Sequence, residues 1–429
     1  MKLLMLGWEL PPYNSGGLGV ACYQMAKALA RIGVDIQFVL PYKAKHLSAS
    51  KFMEIVPACD VPPMVNEKGE YISMGAYSGT CAWCNSRECE HAREYGAGFV
   101  DATHKYALHV ERLAKRKKLK PDVIHAHDWL TMEAGARVKR VTGRPLIVHV
   151  HATEFDRAGG SYGNPLIHEI EYQGLVVADR IMAVSQITKD IIVREYHIPA
   201  DKIEVVHNSL DPDELERTTV ETDNYIYAKE LQKQGWTTIV SIGRLTISKG
   251  LTYLLEAASL ALSRNPKMLF LVSGAGEQRD QLIELAADLG ISDRVIFTGW
   301  VRGQRRTELY EIADMFIMPS ISEPFGLTAL EAAHYNTAVL ISKQSGASEI
   351  LRNVMKFDYW DTRRMADEII NISLSQSLKQ ELKEGVTREY LNLSWEDIAE
   401  KLICEYHRVM SDRNREVNKH KAIKEGAIL

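Results

Sequence analysis

The stretch KLLMLGWELPPYNSGGLGVACYQMAKALARIGVDIQFVLP, residues 2–41, decides the fold. The apolar run KLLML reads as a buried strand. A loop containing Gly16, Gly17 and Gly19 follows, and Ala21, Met25, Ala28 and Leu29 then fall on one helical face before Gly33. VDIQFVLP reads as the next strand. Strand, glycine loop, helix and strand in that order form the seed of a parallel, doubly wound sheet.

The same rhythm recurs outward from this unit. PDVIHAHDW (121–129), PLIVHVHA (145–152), RIMAVS (180–185) and KIEVVHNS (202–209) are strand-like runs separated by helical or loop stretches. A polar, charged segment follows, and the pattern restarts near Trp236 with TTIVSIGRL (237–245), a helix over GLTYLLEAASLALSRNP (250–266) and MLFLVSGAG (268–276). RVIFTGW, MFIMPS and AVLISK supply further strands, and SWEDIAEKLICEYHRVMSDRNREV (394–417) reads as a long closing helix. The expected class is α/β, with two doubly wound parallel-sheet domains facing each other across a cleft. The boundaries expected are 1–212 with an insertion near 57–100, 213–395, and a helical tail over 396–429.

Composition agrees with two lobes. At 429 residues and 46% hydrophobic, the chain exceeds one ordinary core and suits two domains of roughly 200 residues. Its 52 Lys and Arg nearly cancel 56 Asp and Glu, so the global charge gives no reason to expect nucleic acid, and an anionic ligand must be met by local cations. The first apolar run is too short for a signal-peptide core, and no later run approaches a membrane span. A cytoplasmic setting with mostly reduced thiols is expected.

Several motifs bear on chemistry. The loops at 15–22 and 273–280 both lack the third glycine of a dinucleotide fingerprint, which disfavours a nicotinamide cofactor. Three glycines within 16–19 nevertheless exceed what a turn needs, so Gly16 and Gly17 are candidates for phosphate or sugar contact. In IGRLTISKGL, Arg244 and Lys249 leave a strand end five residues apart, an arrangement suited to a diphosphate as much as to two solvated surface cations. In SEPFGLTALEAA (322–333), Pro324 forces Glu323 out of helical geometry, and a helix starts near Gly326 or Leu327. The N–H groups of Gly326, Leu327 and Thr328 then face outward for phosphate, with Glu331 about one turn further in. A glutamate in a first turn is also what a helix dipole favours.

Other residue clusters have plainer readings. His149 and His151 are expected to alternate across a strand end, one toward each side of the sheet, so that they cannot share a metal; the same test weakens His125 and His127. Asp211-Pro212-Asp213 reads as turn chemistry. Cys81, Cys84, Cys89 and His91 have the residue types of a structural zinc staple, although their spacing is not the standard two-plus-two. The basic run at 105–120 suits either an anionic membrane surface or, more simply, a helix whose last turn is enriched in cations.

Taken together, GWELPPYNSGGLG, HAHDW, HNSLD, GRLTISKG and EPFGLTALEA resemble the retaining glycosyltransferases of the GT-B fold over nearly the whole chain. Within them the chain is most similar to family 4 (GT4), and to its glycogen synthase branch. The resemblance implies two Rossmann-like domains and a sugar nucleotide, UDP- or ADP-hexose, held mostly on the second domain with no further cofactor and no metal. It implies Arg244 and Lys249 on the diphosphate, Glu323 on the donor sugar's hydroxyls and Glu331 on the ribose. It also implies His151 beside the reacting sugar, Gly16 and Gly17 closing from the first domain, an α-glucan acceptor, and a tail that crosses back to brace the first domain. Many glycogen synthases carry Lys-x before the paired glycines, where this chain has Asn14-Ser15. A lipid or small-molecule acceptor is therefore carried as an alternative. A sugar-nucleotide epimerase and a non-catalytic carbohydrate-binding protein are carried from other classes.

Overall fold

The computed structural model describes residues 1–14, 16–63, 98–215 and 224–426. The cysteine and histidine cluster at 81–91 lies outside them. Among the described residues there are two wholly parallel sheets. The first contains β1 (Lys2–Leu6), β2 (Asp35–Leu40), β3 (Glu54–Pro57), β4 (Val123–His127), β5 (Leu146–Val150), β6 (Arg180–Ala183) and β7 (Ile203–Val205) in the spatial order β3-β2-β1-β4-β5-β6-β7. The second contains β8 (Thr237–Ile242), β9 (Met268–Ser273), β10 (Val295–Gly299), β11 (Met315–Met318), β12 (Ala338–Ser342) and β13 (Met355–Phe357) in the order β10-β9-β8-β11-β12-β13. The strands read from the apolar runs are all present. The two short strands β3 and β13, each at one edge of its sheet, add to them.

This topology fixes where ligands can bind. In each sheet the chain winds outward from a central strand and then returns to that strand's other side, which leaves a crevice at the strands' C-terminal ends. The reversal lies between β1 and β4 in the first sheet and between β8 and β11 in the second. The loops after β8 and β11 therefore meet, and they pack backbone to backbone. Gly250 has φ +65°, and a Cβ there would run into the carbonyl oxygen of Pro319, so the position requires glycine.

Helix Gly17–Arg31 buries Ala21, Met25, Ala28 and Leu29 against the first sheet, as their spacing predicts. The closing helix Trp395–Gly426 packs on that same sheet and places Trp395, Ala399, Leu402, Tyr406 and Val409 in its core. Trp395 donates its indole N–H to Gln24 Oε1 at 2.8 Å, and Arg180 pairs with Glu405 at 2.7 Å. Between the lobes, Val184 and Leu210 from the first half share an apolar cluster with Phe325, Leu330 and Tyr390 from the second. Asp211 accepts from the N–H of Asp213 at the start of a short turn and pairs with Lys27 at 3.0 Å, in keeping with its reading as turn chemistry.

Candidate active site

The stretch Ser322–Ala333 is a loop followed by helix Leu327–His334, with Gly326 at its N-cap. Gly326 has φ +101°, and a Cβ there would sit 2.7 Å from Met318 Cε and 3.2 Å from Glu323 Cγ. A side chain would thus be both strained and crowded. The loop is pinned from below, where Glu323 N–H donates to the Gln344 carbonyl at 3.1 Å and Gly346 N–H donates to the Glu323 carbonyl at 2.9 Å. The N–H groups that open an α-helix have no partner further back within it.

Lys249 and Glu323 form an ion pair across the meeting of the loops after β8 and β11. Ser320 Oγ donates to the same carboxylate at 3.2 Å. The two residues lie 74 apart in sequence and are joined only by the reversal in strand order. Arg244 stands exposed just beyond β8. Lys249 Cε lies 4.0 Å from where a Cβ on Gly243, the residue before Arg244, would be. Glu331 is buried, pairs with Arg306 and accepts the Tyr310 hydroxyl at 2.6 Å. Arg306 and Tyr310 were not legible as site residues. They sit on a polar helix, Gln304–Glu311, whose sequence offers no motif.

The first domain meets this crevice at several points. Gly17 approaches Leu327, whose Cδ1 would lie 3.1 Å from a Cβ on the glycine, while Gly16 faces open space. Arg302 donates to the Asn14 carbonyl at 2.7 Å. Ser322 Oγ donates to Asp156 Oδ1 at 2.7 Å, and Glu349 accepts from the N–H groups of Gln186 and Ile187 at the start of helix Gln186–Tyr196. His151 lies on the turn after β5, half-buried, and its N–H donates to Asp128 Oδ1 at 2.6 Å. Asp128 has φ +57° and also accepts from Ala152 N–H at 3.2 Å, so the end of HAHDW shapes the turn that carries His151.

The expectation that the paired histidines face opposite sides of the sheet is overturned. Side chains in a strand repeat every two residues, so His125 and His127 share a face, as do His149 and the neighbouring His151. All four imidazoles stack together. His125 lies over His149 with ring centres 5.4 Å apart, and His149 over His151 at 4.5 Å. His127 Nδ1 is 3.1 Å from His151 Nε2, and the Tyr406 hydroxyl is 2.8 Å from His125 Nδ1.

Burial of this stack has a consequence for pH. It holds His151 down at about 3, and, with the neighbouring imidazoles, holds His125, His127 and His149 well below 6.5. Burial also pushes Asp128 up to about 6 and Glu171 up to about 7. Below pH 6.5 each depressed imidazole binds fewer protons folded than unfolded, so its contribution is lost as pH falls; the raised carboxyls act in the opposite sense between their unfolded and folded values. Four imidazoles outweigh two carboxyls. Calorimetric melts should therefore show Tm falling steadily from pH 6.5 to 4.5, at about 1.4 kcal/mol per net proton per pH unit. A Tm that held level or rose over that range would contradict this account of the stack.

Comparison with known proteins places this geometry. The model for Glycosyltransferase Family 4 matches residues 15–214, and that for Glycosyl transferases group 1 matches 225–387. D-inositol 3-phosphate glycosyltransferase of Rhodococcus jostii is 30% identical over 94% of this chain and 86% of its own length. The chain belongs to glycosyltransferase family 4. An uncharacterised glycosyltransferase of Methanocaldococcus jannaschii is 28% identical, over 97% of this chain and the whole of that one. Glycogen synthase of Mycobacterium tuberculosis is 26% identical over 82% and 80%. Among solved structures, Anabaena HepE in complex with UDP-glucose superposes with a TM-score of 0.65 at 18% identity, over 96% of this chain and all of that one. This family 4 enzyme therefore has the GT-B fold, with two parallel-sheet lobes facing a common crevice. None of its described helices is long and apolar enough to cross a membrane.

Proposed function

We propose that this glycosyltransferase moves glucose, with retention of configuration, from UDP- or ADP-glucose to the end of an α-glucan. The observation that carries the reading is the Lys249–Glu323 pair at the reversal point of the second sheet, beside a helix start. In this reading Lys249 and Arg244 take the diphosphate, together with N–H groups of Gly326, Leu327 and Thr328. A departing diphosphate gains negative charge on its bridging oxygen, and fixed cations and N–H dipoles aimed there lower the barrier without needing to reorganise. Glu323, already tied to Lys249 and Ser320, holds sugar hydroxyls and is not a nucleophile. The leaving phosphate instead assists attack from the same face.

Glu331 holds the ribose, kept in place by Arg306 and Tyr310. His151 stands beside the reacting sugar, neutral across the working pH range, and donates or accepts a hydrogen bond without carrying charge. Gly16 and Gly17 close on the donor from the first lobe, which we assign to the acceptor, while the second lobe binds the nucleotide. The solved complex of HepE with UDP-glucose and the similarity to a glycogen synthase support the donor and acceptor classes proposed. Asn14-Ser15 in place of a cation before the glycines weakens the glucan assignment, and the similarity to an inositol-phosphate glycosyltransferase favours a small-molecule acceptor as the second reading.

The test is release of nucleoside diphosphate from UDP- and ADP-glucose, each crossed with glycogen, maltooligosaccharides, inositol phosphate and lipid extract. Release only with glucans supports the proposal. Release only with inositol phosphate or lipid replaces the acceptor, and no release above that of an Arg244→Ala control with any pairing overturns the donor assignment.

A further inference from the structure

The turn that carries His151 leads straight into a four-residue helix, Glu154–Arg157, and this short element touches both lobes. Thr153 caps it. Asp156 Oδ2 accepts from the Thr153 N–H and from the Thr153 hydroxyl, both at 2.8 Å, while the Thr153 hydroxyl oxygen accepts from Asp156 N–H at 3.2 Å. This reciprocal cap occupies one carboxylate oxygen of Asp156. The other, Oδ1, accepts from the Ser322 hydroxyl of the second lobe at 2.7 Å, and both residues are buried.

Ser322 precedes Glu323, and its surroundings tie it to Lys249 as well. The Ser248 carbonyl accepts from the N–H groups of Ile321 at 2.9 Å and Ser322 at 3.3 Å, which joins the loop ahead of Lys249 to the loop ahead of Glu323. Gly159, just past the short helix and at φ +68°, comes up to the same place. A Cβ there would lie 3.4 Å from Ile247 Cγ2 and 3.8 Å from Ser248 Cα. Within the first lobe, Arg157 donates to the Ala152 carbonyl and to Glu154 Oε2, each at 3.0 Å, and pairs with Glu171. Glu171 also accepts from Glu154 N–H at 3.0 Å and from the Tyr196 hydroxyl. The short helix is thus fixed to the turn behind it by a buried, matched set of charges, and forms a firm stop for the loops of the second lobe.

We propose that Asp156 is a positioning residue for sugar transfer: it holds Ser322, and through it the Lys249–Glu323 pair, in register with the His151 turn when the two lobes meet. This rests on the transfer reaction proposed above. Asp156 touches no substrate in it, because its two oxygens are occupied by Thr153 and Ser322. A carboxylate acceptor makes the bond to Ser322 stronger than one between neutral groups. Because that bond spans the crevice, it exists only with the lobes together, so closure and the seating of Glu323 become one event. The nucleotide itself is bound by the second lobe and does not depend on the bond.

The test uses the full chain. Ser322→Ala removes the bond across the crevice and leaves the Thr153–Asp156 cap intact. In hydrogen-exchange mass spectrometry of the free enzyme, exchange over residues 153–160 is expected to rise in Ser322→Ala, and exchange over 319–326 to rise in Asp156→Asn, each across the crevice from its substitution. With the acceptor that the enzyme uses, Ser322→Ala should lower kcat about tenfold or more, the net worth of a hydrogen bond to a charged group. The Kd for UDP or ADP, whichever is released, should change by less than about twofold, the split that marks an interaction made only on the way to the transition state. The losses in Ser322→Ala and Asp156→Asn should not multiply in the double variant. If Asp156→Asn does not fold, Ser322→Ala decides alone. In an active enzyme, unchanged exchange over 153–160, an unchanged kcat, or a fall in kcat matched by weaker nucleotide binding overturns the role of Asp156 and leaves the transfer reading standing. Absence of release from the unaltered enzyme with every donor and acceptor overturns the transfer reading, and this role with it.

Discussion

Lys249→Ala is expected to lower kcat by about 10²- to 10³-fold, the range found when one preorganised donor to a developing charge is removed. The Lys249 ammonium is anchored by Glu323, which also accepts from Ser320, so in the proposed reaction it would need no reorganisation as the diphosphate departs. On the proposed reading KM for the nucleotide sugar should change far less, because Arg244 and the helix N–H groups would still bind the ground-state phosphates. Lys249→Arg should recover part of the loss. The variant also leaves a buried carboxylate without its partner, and a Lys249→Ala/Glu323→Gln double variant separates that effect from lost catalysis. Steady-state kinetics with saturating acceptor is the measurement, and a rise in KM with kcat intact would make Lys249 a binding residue only.

Tyr406→Ala is expected to cost about 3–5 kcal/mol of stability, the range for removing a large buried ring. Tyr406 is fully buried on the closing helix, lies edge-on to His125 with ring centres 5.7 Å apart, and donates or accepts at His125 Nδ1. Its loss opens a cavity under the histidine stack and strands one more imidazole nitrogen. Tyr406→Phe keeps the ring and should cost only about 1 kcal/mol, the usual net worth of one hydrogen bond. Denaturant titration of both variants checks this. Equal destabilisation by the two substitutions would show the hydroxyl, and not the packing, to be what matters.

What the sequence disclosed, and what it withheld, follows from the range of the interactions. The unit at residues 2–41 was readable because a doubly wound sheet alternates runs of fixed period with glycine turns, and each signal is local. Glu323 and the helix after it were readable because Pro324 and Gly326 act on their own neighbours. Arg306 escaped notice because its partner Glu331 is brought to it by the packing of two helices. Glu349, which caps a helix of the opposite lobe, escaped for the same reason. β3 and β13 are short and at sheet edges, where an apolar run is not required. The histidine stack was misjudged on strand period, a local rule wrongly applied, and its closeness to Tyr406 was beyond any local rule.

The closing helix also sets an order of events during synthesis. The first lobe has all seven strands by Val205, yet its core waits for Trp395, Leu402 and Tyr406. At bacterial and eukaryotic elongation rates, the intervening stretch of about 200 residues takes roughly 10–40 s to emerge. Through that interval the first sheet stands with one apolar flank unfilled while the second lobe is still being made. The lobe built first is thus the one finished last, and a chain cut short between Val205 and Trp395 is left with an open seam.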